Sequence, residues 1–467
     1  MTHPLGLHVA LEAIQRLGRG ERKKKLSQPN QRLDCFRPDS LFPSRSTIMR
    51  RPLSLHLLCL RSIAFFATLL PARVHSSFQW TCDELTPSLC DIITTSGTFN
   101  IRGVDVKYWR FKRRQPLLGG QFLEPLITLH GGPSWPSNYL LPLRQLACRG
   151  ASEVILYDQA GCGQSALPKG SNITLDYPHL LTTEYYSEEE LPALIEHLSL
   201  DRYHILGHSW GTILAQLFAL DAKNTSGLAS ITLSGPLSDG QRYIEAQWDE
   251  EDGNLGSLPP FVQNRIKKLE KKQQYGTAEY EAIDKVLTTF FTLRTAPAPD
   301  CFTKSASGLN EELYVGMQGA SEFTMSGVLG SLNVTGRLHE IEVPVLLTHG
   351  RFDTMRPSIV KTMQGQIKLA ERKFFPHSGH VSMIDDAGMM NDVVADFLGR
   401  VEASQRGAGA PPFIPKIWEE EDKASTDRDL DSIMQWVATI STALIGFIIG
   451  IMVGKRRKYK DGYSPIE

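Results

Sequence analysis

Short apolar runs recur along the middle of the chain and alternate with amphipathic stretches. Leu126-Ile127-Thr128-Leu129, Val154-Ile155-Leu156-Tyr157, the run into Leu206, residues 228–233, residues 343–348 and Lys373-Phe374-Phe375 each predict a strand. Upstream, residues 98–113 predict a strand pair, because Val104, Val106, Tyr108 and Phe111 roughly alternate with polar neighbours. Residues 141–149, 184–198, 213–220 and 391–403 predict helices. Strands without polar alternation, separated by helices, imply an α/β fold with a mostly parallel sheet covered on both faces. The alternation stops at Pro236. Residues 237–336 lack strong apolar runs and read as helices and loops, such as 261–272 and 280–293, forming a helical cap inserted over the sheet. The core is thereby split into 77–236 and 337–403.

Two longer apolar runs lie outside this pattern. Met49-Arg50-Arg51 opens a segment that is apolar through Leu70, is broken by Arg61, and ends on Val74 and Ser76. A basic start, an apolar middle and a small-residue exit predict a signal peptide over 49–76. Residues 1–48 are basic, with Arg22-Lys23-Lys24-Lys25, and are expected to be an extension or disordered, with Met49 the working start. The second run, 433–453, carries no charge and approaches the ~20 residues that cross a bilayer as a helix. It predicts a transmembrane helix over 432–454. Lys455-Arg456-Arg457-Lys458 follow directly, so the positive-inside rule places the tail, 455–467, in the cytosol. Residues 404–431, rich in Gly, Pro and acid, read as a linker.

Everything between the two runs is then expected to be lumenal or extracellular, on a single-pass membrane protein. Sequons at Asn172, Asn224 and Asn333 agree with that. Of seven cysteines, Cys35 and Cys59 precede the lumenal segment. Cys82 and Cys90 are close enough in sequence to close a local disulfide, and Cys148, Cys162 and Cys301 remain, so at least one thiol is left over. The tail carries Tyr463-Ser464-Pro465-Ile466, which looks like the signal by which adaptors sort endosomal, lysosomal or vacuolar membrane proteins. The net charge of −1 gives no reason to expect a nucleic-acid partner, and no Cys/His spacing suggests a metal or other cofactor.

The chemistry concentrates at strand ends. Gly207-His208-Ser209-Trp210-Gly211 stands between an apolar strand and a helical pattern, the setting of a nucleophile elbow. A serine hydroxyl needs a base, and the base needs an orienting acid. Asp353 and His380 each follow a later strand, and loops at the C-terminal ends of parallel strands converge. Ser209 is therefore expected as nucleophile, His380 as general base and acid, and Asp353 as the acceptor that fixes the imidazole. His377 is set aside because His380 lies further past its strand, and His204 and His208 are expected to be structural. Asp385 and Asp386 read as solvated. The oxyanion donors are expected to be the backbone N–H groups of Trp210 and of Gly132, in His130-Gly131-Gly132-Pro133.

With Asp158-Gln159-Ala160-Gly161-Cys162-Gly163-Gln164-Ser165, Ser378-Gly379-His380 and Met317-Gln318-Gly319-Ala320-Ser321-Glu322-Phe323-Thr324, these pieces resemble the proline iminopeptidase family of α/β-hydrolases over roughly residues 95–400. The resemblance implies an α/β-hydrolase fold and a serine exopeptidase that removes the N-terminal residue of short peptides, or an amidase acting on amino-acid amides. It also implies that an acid of the cap holds the substrate's α-ammonium, for which Glu322 is in the matching position, with Glu279 or Glu281 as candidates for a second acid. The chain departs from the family pattern at Ala160 and Gln164, where arginines are usual, and at Ser134 and His208, where glycines are usual. The alternative readings are an esterase or lipase using the same residues, and a non-catalytic ectodomain.

Overall fold

The computed structural model describes residues 81–86, 88–115, 123–221, 226–407 and 409–418. The expected signal peptide, transmembrane helix and Tyr463 lie outside the described residues, as does Asn224. Among the described residues no helix is long and apolar enough to cross a membrane.

Eight strands form one sheet in the order β1-β2-β4-β3-β5-β6-β7-β8. They are β1 (Ile92–Ile101), β2 (Val104–Arg113), β3 (Leu126–Leu129), β4 (Val154–Tyr157), β5 (Tyr203–His208), β6 (Leu228–Ser234), β7 (Val345–Gly350) and β8 (Ala370–Phe375). β1 and β2 form an antiparallel hairpin that is antiparallel to β4, and every other pairing is parallel. The hairpin begins at Ile92, earlier than its apolar pattern suggests, because its outer strand is largely exposed and carries little apolar signal. Every residue of β3 to β7 is buried. Alternate positions feed opposite faces. Ile127, Ile155, Ile205 and Leu347 pack into one apolar cluster, and Leu126, Leu156, Leu206 and Leu346 into the other.

The helices that matter for the site are α1 (Leu191–His197), α2 (Trp210–Leu220), α3 (Gly240–Gln247), α4 (Pro260–Glu270), α5 (Ala278–Leu287), α6 (Asp300–Ser307), α7 (Glu311–Met317), α8 (Pro357–Gln366) and α9 (Ala387–Gln405). The helix expected over 184–198 is broken in kind. A π-helical turn, Tyr185–Glu190, leads into α1. The helix expected at 141–149 is a 3₁₀ helix, Ser137–Arg149, that starts earlier and is capped by Gly150. The helices α3 to α7 lie between β6 and β7, as the loss of strand pattern after Pro236 implies. They carry a small core of their own, including Leu255, Ile266, Leu269 and Phe323.

The local disulfide expected between Cys82 and Cys90 does not form. Cys82 is joined to Cys301 of α6, with Cα atoms 5.9 Å apart, and Cys90 to Cys148 of the 3₁₀ helix, with Cα atoms 5.6 Å apart. The N-terminal segment lies across both elements: Asp300 accepts from the Cys82 N–H at 3.0 Å, and Gln145 from the Leu89 N–H at 3.3 Å. Distant pairing thus follows from where that segment is laid down. Among the described residues Cys162 is the free thiol, and it is buried.

Part of the expected linker is docked. Phe413 packs edge-on to Phe397 of α9, and the Lys416 N–H donates to Glu371 of β8 at 2.8 Å.

Candidate active site

Between β5 and α2 the chain turns within one residue. Ser209 has φ 53° and ψ −122°, a region L-residues avoid. The turn is possible because its flanks have no side chains. A Cβ on Gly207 would lie 2.2 Å from the Gly211 carbonyl oxygen, and one on Gly211 2.2 Å from that of Leu129. The Ser209 N–H donates to Ser234 of β6 at 2.9 Å, pinning the turn to the sheet.

Asp353 follows β7, and His380 follows β8. Nδ1 of His380 lies 2.6 Å from Oδ1 of Asp353, which also accepts from the Met355 N–H at 2.8 Å. Burial pushes the His380 pKa down, but the charge and hydrogen bond of Asp353, helped by Glu322, more than offset it, and the net shift is upward. For Asp353 burial acts upward and His380 outweighs it, so the carboxyl is held below its ordinary value. Among the described residues Nε2 of His380 has no hydrogen-bond partner, and both His380 and Ser209 line the same cavity of about 410 Å³. His377 is exposed.

The imidazole is positioned by groups with no motif of their own. Gly235, at φ 60° after β6, makes room for it: a Cβ there would lie 2.7 Å from Nδ1 of His380. His208 donates from Nε2 to the His380 carbonyl oxygen at 3.0 Å, so its Nδ1 accepts from the Tyr139 hydroxyl at 2.7 Å. Tyr139 in turn accepts from the Gly131 N–H at 2.7 Å. Burial, with the neighbouring His380, drives the His208 pKa down to about 3. His204 is structural as well, between Ser230 and Glu402.

Asp385 and Asp386 are not solvated as expected. Asp385 accepts from the Gly379 N–H at 2.9 Å and the Thr295 N–H at 2.8 Å, and Asp386 from the Ser378 hydroxyl at 2.9 Å. They bind the loop that carries His380 to itself and to the cap.

Gly132 lines the cavity at φ 117°, and Trp210 opens α2 beside Ser209. Gln159 ties these two regions together. Its Oε1 accepts from the Trp210 indole at 2.8 Å, and its Nε2 donates to the His130 carbonyl at 3.1 Å. Ser134, in place of glycine, adopts φ 68° and donates to the Asn310 carbonyl at 2.8 Å, bridging this loop to the cap.

The cap supplies acid to the cavity. Glu322 accepts from Tyr314 at 3.2 Å, and Asp284 of α5 from Ser321 at 2.8 Å. Burial raises the pKa of both. With Glu311 they make three carboxylates lining a cavity whose lining, among the described residues, includes no lysine or arginine. Neither of the residues expected as second acid lines the cavity: Glu279 is paired with Arg265, and Glu281 is exposed. Asp284, which does line it, lies about one helical turn further along α5.

The chain matches the family model described as alpha/beta hydrolase fold over residues 124–387. It is 33% identical to a proline iminopeptidase of Heyndrickxia coagulans over 310 residues, 66% of this chain and 99% of the relative. Identity to a proline iminopeptidase of Lactobacillus helveticus is 34% over 263 residues, 56% of this chain and 85% of that one. Among solved structures, the proline iminopeptidase of Mycobacterium smegmatis superposes with a TM-score of 0.58 at 26% identity, covering 66% of this chain and 99% of that chain. The chain is a hydrolase and belongs to the proline iminopeptidase family of the α/β-hydrolase superfamily.

Proposed function

We propose that the chain is a serine aminopeptidase that releases the N-terminal residue of short peptides or hydrolyses amino-acid amides. One observation carries this reading: a single cavity holds Ser209 and His380 together with Asp284, Glu311 and Glu322, and among the described residues its lining offers no lysine or arginine. Such a pocket favours a substrate with a free ammonium beside the scissile carbonyl.

In this reading Ser209 attacks the carbonyl while its proton passes to Nε2 of His380, and Asp353 stabilises the resulting imidazolium. The oxyanion is held by the N–H groups of Gly132 and Trp210. The Gly131 N–H is engaged by Tyr139, which leaves that role in its loop to the next residue. His380 then protonates the leaving amine as the C–N bond breaks. Water, deprotonated by His380, attacks the acyl-enzyme carbonyl, and His380 passes that proton to the Ser209 oxygen as the acyl–oxygen bond breaks. Glu322 and Asp284 hold the α-ammonium and thereby set the distance from the N-terminus to the bond that is cut.

The test is a panel of aminoacyl amides, short peptides and acyl esters, each with a free or an acetylated N-terminus. Acetylation is expected to lower kcat/KM by about 100-fold, the loss of a charge-assisted contact in a dry pocket. Equal turnover of free and blocked substrates, with esters preferred, would instead establish an esterase and remove the role given to Glu322.

We also propose that this domain lies on the non-cytosolic side of a membrane, anchored by 432–454. Two disulfides between residues far apart in the chain fit an oxidising compartment. Protease protection in sealed vesicles tests the topology, and relocation of Tyr463→Ala tests the sorting signal. A domain digested from the cytosolic side would discard both.

A further inference from the structure

Asp284, Thr288 and Thr292 line one side of the catalytic cavity, four residues apart. They stand on α5 and on the π-helical turn Thr288–Thr292 that continues it. The row starts at an acid proposed to hold the substrate's ammonium and ends beside the loop of His380. There the His380 N–H donates to the Phe291 carbonyl at 2.9 Å, and the Val381 N–H to the Thr292 carbonyl at 3.0 Å. Gly379 lets the two segments lie this close, since a Cβ on it would be 3.0 Å from the Thr292 carbonyl oxygen. Just beyond, the Thr295 N–H donates to Asp385, which also holds the Gly379 N–H. The backbone of Thr292 is thereby fixed to the loop that carries His380.

The Thr292 hydroxyl has no such anchor. A threonine in a helix can bond the carbonyl one turn back, as Thr289 does with Lys285 at 2.9 Å. The carbonyl one turn behind Thr292 is that of Thr288, and it accepts instead from the Leu293 N–H at 3.1 Å. Among the described residues Thr292 Oγ1 has no hydrogen-bond partner, and it is shut off from solvent. An enclosed hydroxyl without a partner destabilises a fold, and valine would fill the same space without that cost. Nε2 of His380 is in the same state, enclosed and without a partner, and in the proposed mechanism its partner comes from the reacting groups.

A peptide bond creates a need that this hydroxyl can meet. When Ser209 attacks, the lone pair that forms on the scissile nitrogen points away from the attacking oxygen, and so away from His380. The nitrogen must invert before Nε2 can protonate it. Inversion swings the N–H round, and an acceptor that holds it there favours the form that can be protonated, an interaction made only on the way to the transition state. An ester oxygen has two lone pairs and no N–H, and needs neither step.

We propose that Thr292 is a further catalytic residue, whose hydroxyl oxygen accepts a hydrogen bond from the scissile N–H and so fits the site to amides over esters. The inference rests on the serine-aminopeptidase reading given above. With the N–H held, the nitrogen lone pair takes the proton from Nε2 of His380, the C–N bond breaks with its electron pair going to nitrogen, the carbonyl re-forms, and the neutral amine leaves.

Three substrates sharing one aminoacyl residue test it: a dipeptide ending in glycine, the same dipeptide ending in sarcosine, whose amide carries no N–H, and the methyl ester. In the full chain, Thr292→Val is expected to lower kcat/KM about tenfold for the glycine dipeptide, and by less than about twofold for the sarcosine dipeptide and the ester. Thr292→Ser keeps the oxygen and is expected to bring the glycine dipeptide back to within about threefold of the parent chain. The ratio of two substrates in one sample does not depend on how much of it is folded, and the melting temperature of Thr292→Val should be no lower than the parent's. The proposal is overturned if Thr292→Val lowers all three substrates alike, if it leaves the glycine dipeptide unchanged, or if Thr292→Ser is as impaired as Thr292→Val. A parent chain that hydrolyses the ester alone would remove the aminopeptidase reading and this inference together. A parent chain that cleaves the dipeptides keeps that reading whatever the variants do.

Discussion

The side chain of His208 and the backbone of His380 are joined by a hydrogen bond of 3.0 Å, so the residue preceding the elbow serine steadies the loop that carries His380. The rings lie 4.6 Å apart. Replacing His208 by alanine removes this donor and the acceptor of Tyr139, while Ser209, Asp353 and His380 remain. We expect kcat to fall about tenfold with KM nearly constant, the loss of one positioning hydrogen bond. Because His208 titrates near 3, the pH at which activity declines in acid should not move. Steady-state kinetics from pH 5 to 9 check both statements; a displaced acid limb would contradict the second.

In the proposed mechanism the acid limb belongs to His380. Its pKa is raised above the ordinary histidine value of 6.5 by Asp353 and Glu322 against burial. The base must be neutral, so kcat/KM is expected to be lost as pH falls through a midpoint above 6.5. An alkaline limb near about 8 follows if the substrate's α-amino group must be charged. A profile still flat at pH 5.5 would remove His380 from the role of base. Asp353→Asn should lower kcat by about 10⁴.

Gly235 makes a sharper geometric prediction. Its Cβ-free position lies against the ring of His380, 2.6 Å from Cε1 in the alanine geometry. Gly235→Ala should reduce kcat at least about 100-fold through a misplacement of the base of about an ångström. The melting temperature should change far less than the activity. Near-normal kcat would mean the imidazole sits elsewhere during turnover.

Glu190 predicts a pH dependence of stability. It is fully buried, accepts from the Ala160 N–H at 2.9 Å, and no lysine or arginine among the described residues pairs with it. Burial raises its pKa from 4.5 to about 8. The folded state therefore keeps a proton that the unfolded chain releases above 4.5. This stabilisation is complete below 4.5 and is lost as pH rises through about 8. Glu190→Gln should raise the melting temperature by about 2–5 °C at pH 8 and leave it unchanged at pH 4.5. Equal effects at both values would mean Glu190 is ionised in the fold. An acid-favouring term of this kind stands against the acid loss of activity set by His380.

The residues proposed to do chemistry were easier to read than the residues proposed to place them. Ser209, Asp353 and His380 each follow an apolar strand, and parallel order brings such ends together without further information. Gly235, Tyr139, Asp385 and Asp284 act through contacts made only after folding. A lone glycine after a strand, or an acid on a helix, leaves no periodic trace. Cys82 pairs across 219 residues, a choice that depends on the path of the N-terminal segment rather than on spacing. The π-helical turns at 185–190 and 288–292 escaped for a related reason. One extra residue in a helical turn leaves the apolar rhythm on either side nearly unchanged.

The two disulfides have a consequence for how substrates enter. One staples α6 of the cap to the N-terminal segment, and the other staples that segment to the 3₁₀ helix of the core, eight positions further along the chain from Cys82 to Cys90. The cap is therefore riveted at one side and cannot lift away whole. Any movement of the cap that admits substrate must leave the α6 side in place while both disulfides are intact.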